Sequence, residues 1–323
     1  MVPEAEVVAV ADVDLGRAQA LADKYGVPQV FSSYEELLAQ ADVEAVSVAL
    51  PVFVHAPATI AALEAGKHVL CEKPMARSGA EAQAMVDAAR KNGRKLAVYW
   101  RNRFGARAIK AKQMIDAGDL GWVYYVRTIG LRWRGRPGFD ARMAKFGRWF
   151  GSKEQAGGGA LMDIGGYNLD LVLGLLGFPR VIAASAATYR AIDRERADRE
   201  GYDVEDMAVG LLRLEKGTVV AIESSFAGNI EEPNGTWLFG SRAGLRLEPL
   251  TLYREKDGEK KVTDIDVADV TPLSPTRQFV EAILNDEPIR ICSGEEALIV
   301  TRVQELLYRS AEAGREVMYE ESR

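Results

Sequence analysis

Between residues 7 and 100, short apolar runs alternate with helix-patterned segments, and no other feature restricts the fold as much. "VVAVAD" (7–12) reads as a strand ending in an acid, followed by a helical pattern that stops near Gly26. "SYEE" at Ser33 to Glu36 has the spacing of a capping box and opens a second helix. "VEAVSVAL" (43–50) is again an apolar run, and a helix from about His55 ends at Gly66. "HVLCE" is the next strand, "SGAE" at Ser78 to Glu81 a second capping box, and "KLAVYW" the last strand after a stop at Asn92-Gly93. Strands buried on both faces are apolar throughout, and parallel neighbours need helical crossovers, so the expected fold is α/β with a doubly wound, Rossmann-like parallel sheet.

Beyond residue 101 the period changes to two. "VYYVRTIGLRW", "VIAASAATY", "AVGLLRLEKGTVVAIESSF" and "GTWLFGSRAGLRL" predict an α+β domain with a largely antiparallel sheet and a hairpin at "EKG". Helices are expected over Ala106 to Ala117 and Asp163 to Leu176. A chain of 323 residues exceeds what one core usually fills, and the change of pattern divides it into 1–100, a dinucleotide-binding domain, and 101–323, a substrate-binding and oligomerisation domain. The polar stretch "RAIDRERADREGYD" (190–203) reads as a solvated loop.

A net charge of -6 argues against a nucleic-acid partner. Cys71 and Cys292 form no disulfide framework and point to a reducing, cytoplasmic setting. The opening "MVPEAEVV" has no signal-peptide pattern, and the most apolar later run is interrupted by Asp163 and Asp170, so no membrane partner is expected. Two histidines and two cysteines, scattered, make no metal-ligand set.

Ligands of an open parallel sheet sit beyond the carboxyl ends of its strands, where Asp12, Pro51 and the turn Glu72-Lys73-Pro74 all fall. Asp12 is placed to accept hydrogen bonds from a ribose 2'-hydroxyl and to repel a 2'-phosphate, which favours NAD over NADP; "ADVD" is equally a good helix start, so Asp12 as a cap stays open. Only eleven residues precede Asp12, and no glycine fingerprint lies among them. The cluster "GGGA" (157–160) follows no strand and has Met162 at the third-glycine position, so it is no substitute. The parallel sheet is therefore expected to be N-terminally incomplete, without its first strand, glycine turn and helix, and to hold NAD more weakly for it.

"ALEAGKHVLCEKPMA" (62–76), "GGGALMDIGGYNLDLVLGLLGFP" (157–179) and "YRSAEAGREV" (308–317) together resemble the glucose-fructose oxidoreductase, inositol dehydrogenase and MocA (Gfo/Idh/MocA) family over nearly the whole chain. The resemblance implies a nicotinamide-dependent oxidoreductase acting on a sugar, polyol or sugar acid, with Lys73 between cofactor and substrate. The chemistry of the residue agrees, because an ammonium beside the reacting oxygen stabilises developing alkoxide charge, and Pro74 keeps Lys73 extended. Glu72 either contacts the cofactor or merely marks the strand exit.

Asp163, Tyr167 and Asp170 are spaced i, i+4, i+7 and are expected on one helix face. The resemblance places a histidine acid/base where this chain has Tyr167. A phenol, with a reference pKa of about 10, serves as a base only beside a cation, so Tyr167 is either catalytic or a packing or stacking group. Asp163 is expected to partner substrate or Lys73, and Asp170 to be structural or capping. His55 opens its helix beside the expected nicotinamide pocket, where the family's Thr-Pro-Asn reads Leu50-Pro51-Val52, while His68 and Cys71 are expected to be structural. The segment 131–150 interleaves Arg132, Arg134, Arg136, Arg142, Lys145 and Arg148 with aromatics and is expected to border the substrate cleft; an inward arginine would suit an anionic substrate. The expected assembly is a homodimer or homotetramer. The rival function is a catalytically degenerate sugar- or nucleotide-sensing regulator on the same fold, suggested by the absent glycine loop and by Tyr167.

Overall fold

The computed structural model describes residues 2–230 and 234–320, and in it each apolar run of the first hundred residues becomes a short strand. The order is β1 (Ala9–Ala11), α1 (Leu15–Tyr25), β2 (Gln29–Phe31), α2 (Tyr34–Gln40), β3 (Ala45–Val48), α3 (Val52–Glu64), β4 (His68–Cys71), α4 (Gly79–Lys91) and β5 (Leu96–Val98). All pairings are parallel, as expected: β1 with β2, β3 with β4, and β4 with β5. They form two ladders of two and three strands, and no ladder joins β1 to β3 among the described residues.

Local chemistry sets the helix ends. Asp14, not Asp12, caps α1, its carboxylate accepting the Arg17 N–H at 3.1 Å, and Gly26 closes it with φ 70°. At α2 the Ser33 hydroxyl accepts the Glu36 N–H at 3.1 Å. The reciprocal bond of the capping box is displaced by one residue, because the Glu36 carboxylate takes the Ser32 N–H.

This first compact unit comprises 1–76, 80–99 and also 274–298, a segment that a division at residue 100 assigns elsewhere. The reason is packing: Phe279, on α9 (Pro275–Leu284), is 4% exposed in a cluster with Leu70 of β4 and Ala97 of β5. Burying a phenyl side chain to that extent contributes about 2–3 kcal/mol.

The second unit holds 77–79, 100–273 and 299–323. After a 3₁₀ turn at Arg101–Phe104 come α5 (Ala106–Asp116), β6 (Val123–Leu131), α6 (Lys153–Ala156), a π-helical turn at Leu161–Gly165 that runs into α7 (Gly166–Leu175), β7 (Val181–Tyr189), α8 (Arg194–Arg199), β8 (Met207–Leu214), β9 (Val219–Ser225), β10 (Gly235–Gly240), β11 (Ala243–Arg246), β12 (Thr251–Lys256) and β13 (Glu259–Asp264); α9 follows, then α10 (Gly294–Ala313) and β14 (Val317–Met318). The sheet has nine strands in the order β13-β12-β11-β10-β6-β9-β8-β7-β14. Only β6 and β9 pair in parallel; the rest are antiparallel, including the β8–β9 hairpin, whose turn puts Lys216 and Gly217 at positive φ. One face of the sheet is buried with α7, through Val126, Val220, Ile222, Leu169 and Leu173. The other leaves Tyr124, Leu211 and Phe239 exposed.

Candidate active site

In the first unit the β4 strand ends at Cys71, and the backbone ladder continues one step further with the Glu72 N–H donating to Val48 O at 2.8 Å. The Lys73 N–H then turns back to the Glu72 carboxylate at 3.2 Å, and the Lys73-Pro74 peptide is cis. Glu72 therefore braces the backbone that carries Lys73, a role that spacing alone does not reveal. Lys73 and Glu72 are half-buried while Pro74, Met75 and Ala76 are buried, so the turn is fixed by packing immediately after the lysine.

His55 lies one turn into α3 and is 1% exposed. Its Nδ1 stands 2.8 Å from Pro74 O and its Nε2 2.7 Å from Leu50 O. The ring thus ties the exit of β3 to the turn after Lys73, which gives it a strut's geometry where the sequence suggested a residue beside the nicotinamide pocket. Only an imidazolium could donate to both carbonyls, but burial, foremost, and the nearby Lys73 charge push its pKa down, against the pull of the two carbonyls. The buried neutral ring donates one N–H and simply abuts the other oxygen. Cys71 is wholly buried and its thiol is pushed up to about 12 by that burial, which makes it a packing group, as expected.

The residues present match parts of a bound dinucleotide. Asp12 ends β1 with a carboxylate that accepts the Asp14 N–H at 2.9 Å and lies 3.6 Å from Arg17, leaving acceptor capacity for vicinal hydroxyls. Pro51 precedes α3 without a side-chain cap, and its own carbonyl takes the Val54 N–H at 2.8 Å, so Val52 and Phe53 present the first N–H groups of that helix. By contrast, α1 is closed by Asp14, and among the described residues no glycine turn links a strand to a helix for the pyrophosphate.

In the second unit Asp163 meets a different partner from Tyr167 and Asp170, which both face the segment 100–103. The π-helical turn contains one residue more than an α turn and holds Asp163 within it, ahead of Tyr167 and Asp170 on α7. Asp163, 9% exposed, has an oxygen 3.8 Å from Arg132 Nη1 just beyond β6. Tyr167 meets Trp100 edge-on at 5.3 Å, with the Arg101 guanidinium 5.6 Å from its ring. Asp170 is fully buried and pairs with Arg103 Nε at 3.0 Å, the structural role expected of it.

The glycines before Asp163 are there for close approach rather than for phosphate. A Cβ on Gly158 would fall 2.1 Å from the Tyr308 hydroxyl, and one on Gly159 2.2 Å from Glu205 O. Glu205 is the main residue that sequence reading passes over. Its carboxylate accepts the N–H groups of Gly159 and Leu161, each at 2.9 Å, and the Tyr308 hydroxyl at 2.8 Å. Burial pushes this carboxyl up from its ordinary range, while the three donors oppose that rise. An acid in "DVEDMA" gives no local sign of such a partner set, because its partners lie more than forty residues away on either side.

The arginine-rich segment is mostly internal structure. Arg136 is fully buried, paired with Asp140 at 3.0 Å and Asp193 at 3.3 Å, and its guanidinium lies 4.4 Å from the Phe139 ring and 5.6 Å from that of Tyr202. The stretch 190–203, expected to be a solvated loop, docks on it through Asp193, the buried Ala197 of α8 and Tyr202. Arg134 is held by Gly228 O and Asn229 at 2.6 Å each. Arg132 and Arg142, with Trp133 and Met143, line an open cavity of about 560 Å³. Arg132 connects that cavity to Asp163. Among the described residues no group of histidine, cysteine or acidic side chains could hold a metal ion, and no helix is long and apolar enough to cross a membrane.

Residues 1–100 match a family model described as an oxidoreductase family with an NAD-binding Rossmann fold, and residues 108–246 match the GFO/IDH/MocA C-terminal domain. The chain is 34% identical to D-glucoside 3-dehydrogenase of Escherichia coli (strain K12), covering 97% of this chain and 90% of that protein. A crystal structure of an oxidoreductase domain protein from Kribbella flavida superposes with a TM-score of 0.84 at 26% identity, covering 98% of this chain and 91% of the other. The WlbA dehydrogenase of Bordetella pertussis, solved with NADH and UDP-GlcNAcA, gives a TM-score of 0.80 at 25% identity, covering 98% and 91%. This chain belongs to the Gfo/Idh/MocA family of NAD-binding oxidoreductases.

Proposed function

We propose that this dehydrogenase oxidises a secondary hydroxyl of a sugar, polyol or sugar acid, with Lys73, Asp163 and Tyr167 acting on the substrate. The reading is carried by the β4 tip: Lys73 is held by Glu72 on one side and by the buried Pro74, itself strapped by His55, on the other. Fixing the backbone in this way sets where the ammonium-bearing side chain starts, so less reorganisation is needed when alkoxide charge develops beside it. Bound NAD supplies the hydride acceptor. Asp12 takes the ribose hydroxyls and disfavours a 2'-phosphate, so NAD is preferred to NADP; Pro51 and Glu72 complete the cofactor side, and His55 serves it by holding Leu50 and Pro74. The Asp163–Arg132 pair orients substrate hydroxyls, and Arg132 favours a sugar acid where the substrate carries a carboxylate. The relative named D-glucoside 3-dehydrogenase supports a sugar substrate.

Tyr167 passes the hydroxyl proton in this scheme, helped by the cationic surroundings that Arg101 provides. Tyr167→Phe is then expected to lower kcat and remove the alkaline limb of the pH profile, and Tyr167→His to restore turnover. A Phe variant with the parent rate and pH dependence would leave only the ring's packing on Trp100. The open sheet face with Tyr124, Leu211 and Phe239 suits pairing with a second copy of the chain as a homodimer or homotetramer, which sedimentation of Leu211→Glu against the parent checks. The buried free cysteines accord with a reducing, cytoplasmic location.

A further inference from the structure

We infer that Gln304 and Glu205 are positioning residues that hold the segment 161–175 in its wide register and so set where Asp163 and Tyr167 present their side chains. The inference rests on the proposed substrate role of those two residues. A π turn is rare because it disturbs the hydrogen-bond ladder, and it persists where outside partners satisfy the displaced backbone groups. Such partners are present on both polarities. Gln304, wholly buried on α10, donates its Nε2 to Leu161 O at 2.8 Å and to Met162 O at 3.0 Å. Glu205 takes the N–H groups of Gly159 and Leu161 on its two carboxylate oxygens. Tyr308, four residues beyond Gln304 on the same helix, donates to Glu205, so neighbouring side chains of one helix face secure the carbonyl side and the amide side of the same turn.

The glycines of "DIGG" fit the same device. A Cβ on Gly166 would lie 3.1 Å from Gln304 Nε2 and 2.5 Å from the Trp100 ring. Glycine is what lets Gln304 reach the turn and lets Trp100 sit against α7, where it also meets Tyr167. Relaxation to an α-helical register would shorten the turn by one residue and rotate what precedes it by about 100° relative to α7, carrying Asp163, inside the turn, through part of that rotation. Asp163 would then leave Arg132 while Tyr167 kept its place on Trp100.

The test uses the full chain carrying Gln304→Met, which removes both donated bonds at similar volume. With a sugar or polyol that the parent oxidises, the expected result is a fall in kcat of about tenfold or more with KM within about threefold, together with a crystal structure in which Asp163 has left Arg132. A purely structural role would lower the unfolding midpoint and leave kcat and KM of the folded protein unchanged, and that result overturns the inference. Should Gln304→Met not fold, Glu205→Gln is measured in the same way, since it keeps shape but replaces one acceptor by a donor that faces a backbone N–H. If the parent oxidises no sugar or polyol, the functional reading fails separately. The variant's crystal structure then decides: a π turn retained with Asp163 on Arg132 contradicts the inference, and an α register supports it.

Discussion

Asp170 lies in the most recognisable motif of the chain, yet its surroundings make it a strut, and removing it has a calculable consequence. Its carboxylate is fully buried and pairs at 3.0 Å with Arg103 Nε, on a side chain only 10% exposed. Arg103 is seated against α7, where Gly174 leaves room for its Cδ, and its guanidinium stacks 5.1 Å from the Phe178 ring. Asp170→Ala removes the carboxylate that this guanidinium faces, a change that costs about 3–5 kcal/mol. For a unit of this size that lowers Tm by roughly 6–20 °C. Asp170→Asn keeps an acceptor near Nε and is expected to lose less than half as much. Calorimetry and circular dichroism of the two variants, closed into a double-mutant cycle with Arg103→Met, give the coupling. An Asp170→Ala protein that melts within about 2 °C of the parent would refute the strut. So would a stable variant whose kcat has collapsed, for then Asp170 acts in the chemistry.

Gly159→Ala is expected to destabilise the second unit by about 2 kcal/mol or more, because the Cβ would meet backbone of Glu205, whereas Gly228→Ala, with nothing closer than 3.8 Å, is expected to be neutral; denaturant midpoints compare them. His55 gives a pH dependence whose sign is fixed: its folded pKa is lowered, so below about pH 6.5 the unfolded chain binds the proton that the folded chain refuses, and stability is full above that value and falls as pH drops. The loss for this one group at pH 5.5 is at most about 1.4 kcal/mol, and His55→Gln is expected to flatten that part of the profile. A parallel profile in both proteins would show that the ring does not titrate as burial requires.

The elements that local pattern controls were legible in the residues. "VVAVAD", "VEAVSVAL", "HVLCE" and "KLAVYW" are apolar enough to be buried on both faces, and each is a parallel strand. The alternation around "EKG" gave the β8–β9 hairpin, and the Asp170 role followed from its place on a helix. What stayed hidden depends on partners distant in sequence. Asp163, Tyr167 and Asp170 read as one α-helical stretch, whereas Asp163 lies in a π turn whose backbone is bonded by Gln304 and Glu205 from other elements. His55 reads as a pocket residue until Leu50 O and Pro74 O are seen on its two nitrogens. Arg136 reads as a cleft-border arginine and the stretch 190–203 as a solvated loop because a guanidinium buried between rings and carboxylates has the same sequence signature as one on a surface.

The most direct measurement is NADH formation by the parent chain and by Lys73→Met across a panel of sugars, polyols and sugar acids, with NAD affinity measured on both. The expected result is NADH formation with at least one substrate by the parent, a loss of about a hundredfold or more in kcat for Lys73→Met, and NAD affinity within about twofold, because the ammonium is needed chiefly as alkoxide charge develops. An unchanged kcat in Lys73→Met would remove the lysine from the chemistry, and NAD binding without NADH from any substrate would make the chain a sensor rather than a dehydrogenase.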